Sequence, residues 1–372
     1  MNQKIPYYSL DKMHQDLQDE MKDIFQRVLK DSWFVLGNHL EKFETEFALY
    51  IGVKYAIGVG NGLDGLKIAL RSLALEPGKK IIIPAMTFSA SVLAALENGI
   101  QPLLVDVDAG NCLISMDELR NSITPDVKAV MPVHLYGNPC DMEKINQLAG
   151  AAEIYVIEDF AQSAGASFQG KYTGSFGKIN ATSFYPVKPL GALGDGGMIT
   201  TNDPALRDKC LKLRNYGYNG KYTMELMGYN SRLDEIQAAL LGLKLKYLET
   251  WKMEREKIAR RYLQNLSGNE KIILPFQEEN RSSAFHIFPV RVQKRDELRN
   301  FLEDQKIQTQ IHYPVPPHLQ PGMKFLGYKK GDFPVTEKIC DTELSLPVYP
   351  GLSVADVDRI SEYIHDFLRR NS

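Results

Sequence analysis

Short β-branched runs alternate with helical segments through the first half of the chain. KYAIGVG precedes LDGLKIALRSLAL, KKIIIPAM precedes SASVLAALENG, and further apolar runs are PLLVDVD, AVMPVHLYG and IYVIEDF. This alternation is typical of βαβ units, in which helices join parallel strands and cover the sheet. We therefore predict an α/β fold with a mostly parallel sheet, whose ligands bind beyond the carboxyl ends of its strands.

The pattern changes in the second half of the chain. DEIQAALLGLKLKYLETWKMEREKIARRYLQNL has continuous amphipathic spacing and predicts one helix of about 30 residues. After it, AFHIFPVRV predicts a strand, whereas RDELRNFLEDQ and VADVDRISEYIHDFLRR predict helices. We expect a large domain at 1–245, with an N-terminal helical segment, and a smaller α+β domain at 246–372, entered through the long helix.

Charge and cysteine usage exclude several classes of protein. The formal net charge is -2, so no basic excess indicates a nucleic-acid partner. The start of the chain lacks a signal-peptide pattern, and no run reaches the roughly 18 apolar residues of a membrane helix. Four cysteines without C-x-x-C spacing, and histidines without ligand spacing, favour free thiols and no metal site. We expect a cytoplasmic protein that binds neither nucleic acid nor membrane.

The segment ATSFYPVKPLGALGDGGMITTN places Lys188 among apolar residues and glycines. A lysine among apolar groups loses solvation of its charged form, so its pKa falls, and the neutral amine can attack a carbonyl to form a Schiff base. An exposed lysine on a glycine loop is the alternative, and spacing alone gives the two about even weight.

The segment VIEDFAQSAGA ends an apolar strand with Asp159. A carboxylate at that edge of the sheet can pair with a pyridinium nitrogen, and Gln162, one helical turn further on, can reach the same ligand. The alternative, that Asp159 caps a following helix, is common for aspartate. Asp159 and Lys188 are separated by 29 residues, about the length of one helix-and-strand unit, so both can face one pocket from the ends of neighbouring strands.

Two further junctions of strand and helix lie near this predicted edge. In GVGNGLDGL, the glycines around Asn61 open a helix, whose free N–H groups and dipole suit a phosphate. In IPAMTFSAS, Phe88 follows a buried strand and can stack on a planar ring, although a plain core phenylalanine is commoner.

These elements, in this order, resemble the DegT/DnrJ/StrS family of nucleotide-sugar aminotransferases, a branch of the fold-type I pyridoxal-phosphate enzymes. The resemblance runs over nearly the whole chain, through NGLDGL, PAMTFSAS, VIEDFAQSAGA, SFYPVKPLGALGDGGMITT, GYNSRLDEIQAALL and IHYPVPPHLQP. It implies a fold-type I large domain, a smaller C-terminal domain, and pyridoxal 5'-phosphate as cofactor, with pyridoxamine 5'-phosphate as its intermediate form.

The resemblance also assigns roles to the residues at the centre of the site. Lys188 matches the lysine that holds the cofactor as an imine and then carries a proton between cofactor and sugar. Asp159 matches the partner of the pyridine nitrogen, and Gln162 matches a residue near the ring hydroxyl. Phe88 occupies the stacking position.

Other positions match the phosphate and substrate sites of the family. Gly62, Leu63 and Ser183 match phosphate-binding positions. Asn230 matches an asparagine that reaches the phosphate of the neighbouring subunit, which implies a homodimer with shared active sites. Tyr185 and His312 lie in motifs that border the substrate pocket.

The resemblance narrows the range of candidate substrates but does not identify a single one. NGLDGL and KPLGALGDGG resemble the group that acts on 3-keto sugars, whereas enzymes that aminate C4 usually carry a GTxAL-type loop. We expect transfer from L-glutamate to a dTDP-linked 3-keto-6-deoxyhexose, giving an amino sugar and 2-oxoglutarate. Because Pro189 stands where many 3-keto members have asparagine, UDP-linked 3-keto sugars stay open. A 4-keto-6-deoxy sugar as substrate stays open as well, and so does a non-catalytic regulatory protein that binds the cofactor.

Overall fold

The computed structural model describes residues 4–220, 222–275 and 278–371. The helices of this part of the chain, in order, are α1 Asp11–Asp16, α2 Gln18–Asp31, α3 Asn38–Ile51, α4 Gly62–Leu73, α5 Ser89–Leu96, α6 Met116–Ser122, α7 Met142–Ala151, α8 Pro204–Leu213, α9 Glu235–Leu245, α10 Leu248–Leu266, α11 Arg295–Asp304, α12 Pro334–Thr342 and α13 Val354–Arg370. The strands are β1 Tyr55–Val59, β2 Lys80–Pro84, β3 Gln101–Val105, β4 Val127–Val130, β5 Tyr155–Asp159, β6 Ser167–Phe168, β7 Lys171–Tyr172, β8 Ile179–Ser183, β9 Gly197–Thr201, β10 Arg281–Ser282, β11 Phe288–Arg291 and β12 Glu343–Leu346.

A seven-stranded sheet with the order β1-β9-β8-β5-β4-β2-β3 forms the centre of the fold. The pairs from β8 to β3 are parallel, and β9 runs antiparallel to both of its neighbours. β1 therefore runs in the same direction as β8, and every strand except β9 ends at the same edge of the sheet. The predicted mostly parallel α/β sheet is confirmed.

Both faces of the sheet are covered, because neighbouring residues on a strand point to opposite sides. On β2, Ile81 and Ile83 pack into one apolar core together with residues of α4 and α5, whereas Ile82 packs into a second core on the other face. This burial explains why the strands read as continuous apolar runs and not as alternating ones.

The second half of the chain builds a separate apolar core around the antiparallel pair β11 and β12. α10, α11 and α13 contribute buried residues to this core. Ile5, near the amino end, pairs with Ile307 and packs into it as well. The proposed division of the chain into domains at 245/246 stays a prediction.

The predicted single long helix is wrong, because the chain bends between α9 and α10. Lys246 N donates to Leu243 O at 3.2 Å, and Tyr247 N donates to Lys244 O at 3.0 Å, so the connection makes a tighter turn than an α-helix. α9 packs against α2 and α3, whereas α10 packs against α13. Tertiary packing sets this bend, and the sequence carries neither glycine nor proline there to announce it.

None of the helices in the described part of the chain combines the length and the apolar character needed to span a membrane.

Candidate active site

A cavity of about 390 Å³ lies at the carboxyl edge of the sheet. All of the residues that the sequence predicts for cofactor and substrate line it, with the exception of Asn230. β5 and β8, which lead to Asp159 and Lys188, are adjacent parallel strands. The expectation that these two side chains face one pocket from neighbouring strand ends is therefore confirmed.

Lys188 lies five residues beyond β8, in the turn that follows the strand. Its backbone N donates to Tyr185 O at 2.8 Å, which fixes the direction of the turn. The side chain is only partly exposed, where it faces the cavity. Burial lowers the pKa of Lys188 to about 8, and the nearby carboxylate of Asp159 opposes this shift. The alternative of an exposed surface lysine is wrong.

Asp159 is the last residue of β5, and its side chain is buried. Ser91 Oγ donates to Asp159 Oδ2 at 2.7 Å, and Ala161 N donates to Oδ1 at 3.2 Å. Burial raises the pKa of Asp159, and the bonds from Ser91 and Ala161 and the charge of Lys188 lower it. A turn, and not a helix, directly follows Asp159, so the alternative of a helix cap is wrong.

The spacing of Gln162 from Asp159 predicts that a helical turn separates them. In the structure Gln162 reaches the cavity from a turn that belongs to no helix. Tyr136 N donates to Gln162 Oε1 at 2.6 Å, and Gln162 Nε2 donates to Tyr313 OH at 3.0 Å. The amide plane is therefore fixed at both ends.

The amino end of α4 forms one wall of the cavity, together with the end of β8. Asn61 caps the helix by accepting a hydrogen bond from Asp64 N at 2.8 Å. A Cβ on Gly62 would lie 2.7 Å from Cβ of Ser183, so only glycine allows this close approach of helix and strand. Leu63 completes this wall, and the amino end of a helix, with its N–H groups and positive dipole end, is suited to a phosphate.

Aromatic side chains also line the cavity. Phe88 is 58% exposed, so it is not a core phenylalanine. Its ring lies 5.6 Å from that of Tyr313, and both rings line the cavity. Tyr185 is 53% exposed at the cavity mouth. A planar ligand can therefore contact an aromatic face here.

His312 lines the cavity from a segment that is paired with β12. Its Nδ1 lies 2.8 Å from Ser345 Oγ, and its backbone N donates to Glu343 Oε2 at 2.7 Å. Burial lowers the pKa of His312 to about 4, and the charge of Lys188 acts in the same direction. The imidazole is thus neutral near pH 7.

Sequence reasoning missed several residues at this site. His286 and Tyr313 line the cavity, and Ser91 holds Asp159. Tyr313 directly follows His312, so that motif could have indicated it. His286 and Ser91 lie in a predicted strand and a predicted helix that the sequence marks as ordinary structural segments.

Asn230 is exposed and lies outside the cavity of its own chain. It forms an isolated antiparallel bridge with Asn215. Its contact with a neighbouring subunit stays a prediction.

Other polar residues that the sequence brings to notice have structural partners. His134, at the end of the apolar run AVMPVHLYG, is fully buried between Glu158 and Cys140, with Nε2 2.9 Å from Glu158 Oε2, so it is a hydrogen-bonded core histidine. Asp106 accepts hydrogen bonds from the first turn of α12, and Asp108 closes a turn. Within the described ranges, no cluster of His, Cys, Asp and Glu has the arrangement of a metal site.

The family model described as DegT/DnrJ/EryC1/StrS aminotransferase family matches residues 15–365. The chain belongs to this family. The dTDP-3-amino-3,6-dideoxy-alpha-D-galactopyranose transaminase of Aneurinibacillus thermoaerophilus is 42% identical, over 98% of this chain and 99% of the relative. A pleiotropic regulatory protein of Geobacillus stearothermophilus is 40% identical, again over 98% of this chain and 99% of the relative.

Two solved structures extend this family relationship to the whole aminotransferase fold. DesV of S. venezuelae, in complex with a ketimine intermediate, has a TM-score of 0.96 and 38% identity, covering 98% of this chain and 99% of that one. NtdA of Bacillus subtilis, with the bound cofactor PMP, has a TM-score of 0.92 and 32% identity, covering 99% of this chain and 86% of that one. The chain therefore has the fold of the family's aminotransferases.

Proposed function

We propose that this aminotransferase moves the amino group of L-glutamate to the C3 keto group of a dTDP-linked 6-deoxyhexose. The products are 2-oxoglutarate and a dTDP-linked amino sugar. The observation that carries the proposal is that an amine of lowered pKa, Lys188, and a buried carboxylate, Asp159, face the same cavity. The name of the relative from A. thermoaerophilus supports a dTDP-linked 3-keto sugar as substrate.

The side chains of the cavity fit pyridoxal 5'-phosphate. Lys188 would hold its aldehyde carbon, Asp159 its ring nitrogen, the amino end of α4 its phosphate, and Phe88 the face of its ring. The two hydrogen bonds that the Asp159 carboxylate accepts from Ser91 and Ala161 leave acceptor capacity for a ring N–H. When bound, the cofactor withdraws electrons from the carbon that carries the amino group.

The residues of the chain then orient the reactants and move the proton. Asp159 keeps the ring nitrogen protonated, and Ser91 holds the carboxylate in place. Lys188 Nζ carries the proton between the cofactor carbon and the sugar carbon. A pKa of about 8 permits this transfer near neutral pH. Tyr185 and His312 border the substrate side of the cavity.

We test the covalent role of Lys188 by reducing the cofactor-loaded protein with borohydride. We expect mass spectrometry to find the cofactor on the peptide that contains Lys188, and Lys188→Ala to lose both the label and turnover. Lys178→Ala is the control, because Lys178 forms an ion pair with Asp203 outside the cavity. A label elsewhere, or turnover by Lys188→Ala at the wild-type rate, would contradict the proposal.

The substrate is tested by an amination assay with L-glutamate and four classes of sugar: dTDP- and UDP-linked, each with a 3-keto or a 4-keto group. We expect the dTDP-linked 3-keto sugar to give the largest kcat/KM, with the product identified by mass spectrometry. A preference for a UDP-linked or 4-keto sugar would replace the proposed substrate and leave the aminotransferase reaction intact.

A homodimer with shared active sites is proposed as well, supported by the exposed position of Asn230 outside its own cavity. A cytoplasmic location is supported by Cys112, Cys140, Cys210 and Cys340, which are all buried and unpaired, as in proteins of reducing compartments.

A regulatory protein is the second candidate, favoured by the name of the relative from G. stearothermophilus. An ultraviolet–visible titration with L-glutamate separates the two. An aminotransferase converts the imine absorption of the cofactor to that of the amine form, whereas a regulator that only binds the cofactor leaves the spectrum unchanged.

A further inference from the structure

A chain of three side chains leads from the interior of the fold to the cavity. Glu343 and Ser345 lie two residues apart on β12, so both side chains point to the same face of the strand. Glu343 Oε1 is hydrogen-bonded to Ser345 Oγ, and Ser345 Oγ lies 2.8 Å from His312 Nδ1. Since Nδ1 is occupied, Nε2 is the ring nitrogen of His312 that a ligand in the cavity can reach.

The backbone fixes the geometry of this chain. Ser345 N donates to Gln310 O at 2.8 Å, and Gln310 N donates to Ser345 O at 3.2 Å, so the segment that carries His312 is paired with β12. His312 N donates to Glu343 Oε2 at 2.7 Å, and Tyr136 OH donates to His312 O at 2.5 Å. The imidazole is therefore held in one position.

The surroundings of Glu343 favour its neutral acid form. The side chain is fully buried, and in the described part of the chain its carboxyl group forms no salt bridge. Arg295, the basic residue whose charge acts on it, donates instead to the backbone oxygens of Glu343 and Cys340. Burial raises the pKa of Glu343 to about 8. The titratable groups facing it are Tyr7, Cys112, Tyr136, Arg291, Arg295, His312, Tyr313 and Cys340.

The form of Glu343 decides which nitrogen of His312 carries the proton. The neutral acid donates to Ser345 Oγ, the hydroxyl then donates to His312 Nδ1, and the proton of the imidazole lies on Nε2. The ionised acid reverses every donor in the chain and leaves Nε2 as an acceptor.

We propose that Glu343, acting through the hydroxyl of Ser345, holds His312 in the tautomer whose Nε2–H faces the cavity, where it donates a hydrogen bond to an oxygen of the keto-sugar substrate. Glu343 and Ser345 are positioning residues in this scheme. The part that concerns the sugar rests on the proposed function, whereas the tautomer of His312 does not depend on it.

Nitrogen-15 spectra of histidine-labelled protein test the tautomer directly, with His312 assigned from the His312→Gln variant. At pH 7, we expect the proton on Nε2, and a shift to Nδ1 as the pH rises through about 8. Glu343→Gln has an amide N–H₂ in place of the acid O–H, so it should keep the proton on Nε2 over the whole range. Glu337→Gln is the matched control, because Glu337 pairs with another histidine, His318, outside the cavity.

The keto-sugar half-reaction tests the consequence for turnover. Ser345→Ala breaks the chain and should lower kcat/KM for the sugar about tenfold, the usual effect of one lost hydrogen bond, with little effect on the half-reaction with glutamate. Glu343→Gln should match the wild type at pH 7 and exceed it above pH 8. Ser361→Ala, a buried serine that donates to Val357 O, controls for the loss of a hydroxyl.

Three results would overturn the inference: a proton on Nδ1 at pH 7, the same spectral transition in Glu343→Gln as in the wild type, or a loss in Glu343→Gln equal to that in Ser345→Ala. If the wild type aminates none of the keto sugars, the proposed function fails, and the spectra still decide the tautomer.

Discussion

At the scale of single residues, burial controls the chemistry of the cavity. It moves the pKa of Lys188 downward and that of Asp159 upward, and in each case the other residue opposes the shift. Two groups that an exposed site would leave fully charged are thus brought closer to neutrality. This adjustment suits an amine that must attack a carbonyl and a carboxylate that must share a proton with a ring nitrogen.

The pKa of Lys188 predicts how fast the cofactor-free protein takes up pyridoxal 5'-phosphate at different pH values. Only the neutral amine attacks the aldehyde, so the rate should rise with pH and level off above about 8. An ordinary lysine would still gain reactivity above pH 10. Stopped-flow absorbance measures the rate, and a rise that continues past pH 10 would show that burial does not lower this pKa.

Asp159→Asn should keep the fold and the hydrogen bond from Ser91 but remove the charge that holds a proton on the ring nitrogen. We expect the half-reaction with glutamate to slow about 100-fold or more, as for the loss of other electrostatic contacts in active sites. Single-turnover absorbance gives the rate. Asp203→Asn is the control, because Asp203 lies at the amino end of α8, outside the cavity. An unchanged rate in Asp159→Asn would remove its proposed role.

At the scale of elements, the site depends on how closely α4 approaches β8. Gly62→Ala would bring a methyl group to 2.7 Å from Cβ of Ser183. We expect a loss of about 1–3 kcal/mol in the free energy of unfolding, typical of overpacking, and weaker cofactor binding. Urea unfolding and a cofactor titration measure the two effects. Gly150→Ala, in α7 with nothing within 4 Å of the new Cβ, should lower neither.

The buried Glu343 on β12 should make the stability of the protein depend on pH. The pKa of Glu343 is raised from 4.5 to about 8 in the folded chain, so the folded state binds the extra proton between these values. The contribution of Glu343 to stability therefore falls as the pH rises from about 4.5 to 8. The unfolding free energy of the wild type minus that of Glu343→Gln should therefore decrease as the pH rises over this range.

Glu337→Gln should show the opposite trend. The pKa of Glu337 is lowered, because the bonds from Gly331 and His318 outweigh its burial. Its contribution is present above the pKa of the unfolded chain and is lost as the pH falls. Equal slopes in the two variants would contradict both assignments.

The elements also show which parts of the site the sequence can predict. The sequence predicts Asp159 and Lys188 because each lies in a short local motif: Asp159 ends an apolar strand, and Lys188 lies among apolar residues and glycines. It does not predict Glu343 and Ser345, because their importance comes from pairing with the His312 segment, more than 30 residues away in the chain. The sequence does not predict the bend between α9 and α10 for a similar reason. It arises because α9 packs against α2 and α3, whereas α10 packs against α13.

At the scale of the whole molecule, the proposed shared active site predicts complementation between two inactive variants. Lys188→Ala and Asn230→Ala homodimers should both be impaired. In a mixed dimer, one of the two sites has both Lys188 and Asn230 intact. Mixed chains should therefore regain about a quarter of wild-type activity after subunit exchange, as expected for random pairing. Activity that stays at the average of the two variants would show that each site is built from one chain.

The residues that line the cavity come from distant parts of the polypeptide: Lys188 lies near the middle of the sequence, and His286, His312 and Tyr313 follow about 100 residues later or more. During synthesis, the ribosome releases the reactive amine well before the residues that enclose it. A nascent chain thus passes through a stage in which that amine is accessible to any aldehyde in the surrounding solution. The cavity that selects pyridoxal 5'-phosphate from other aldehydes is therefore complete only after the last third of the chain has been translated and has folded against the rest.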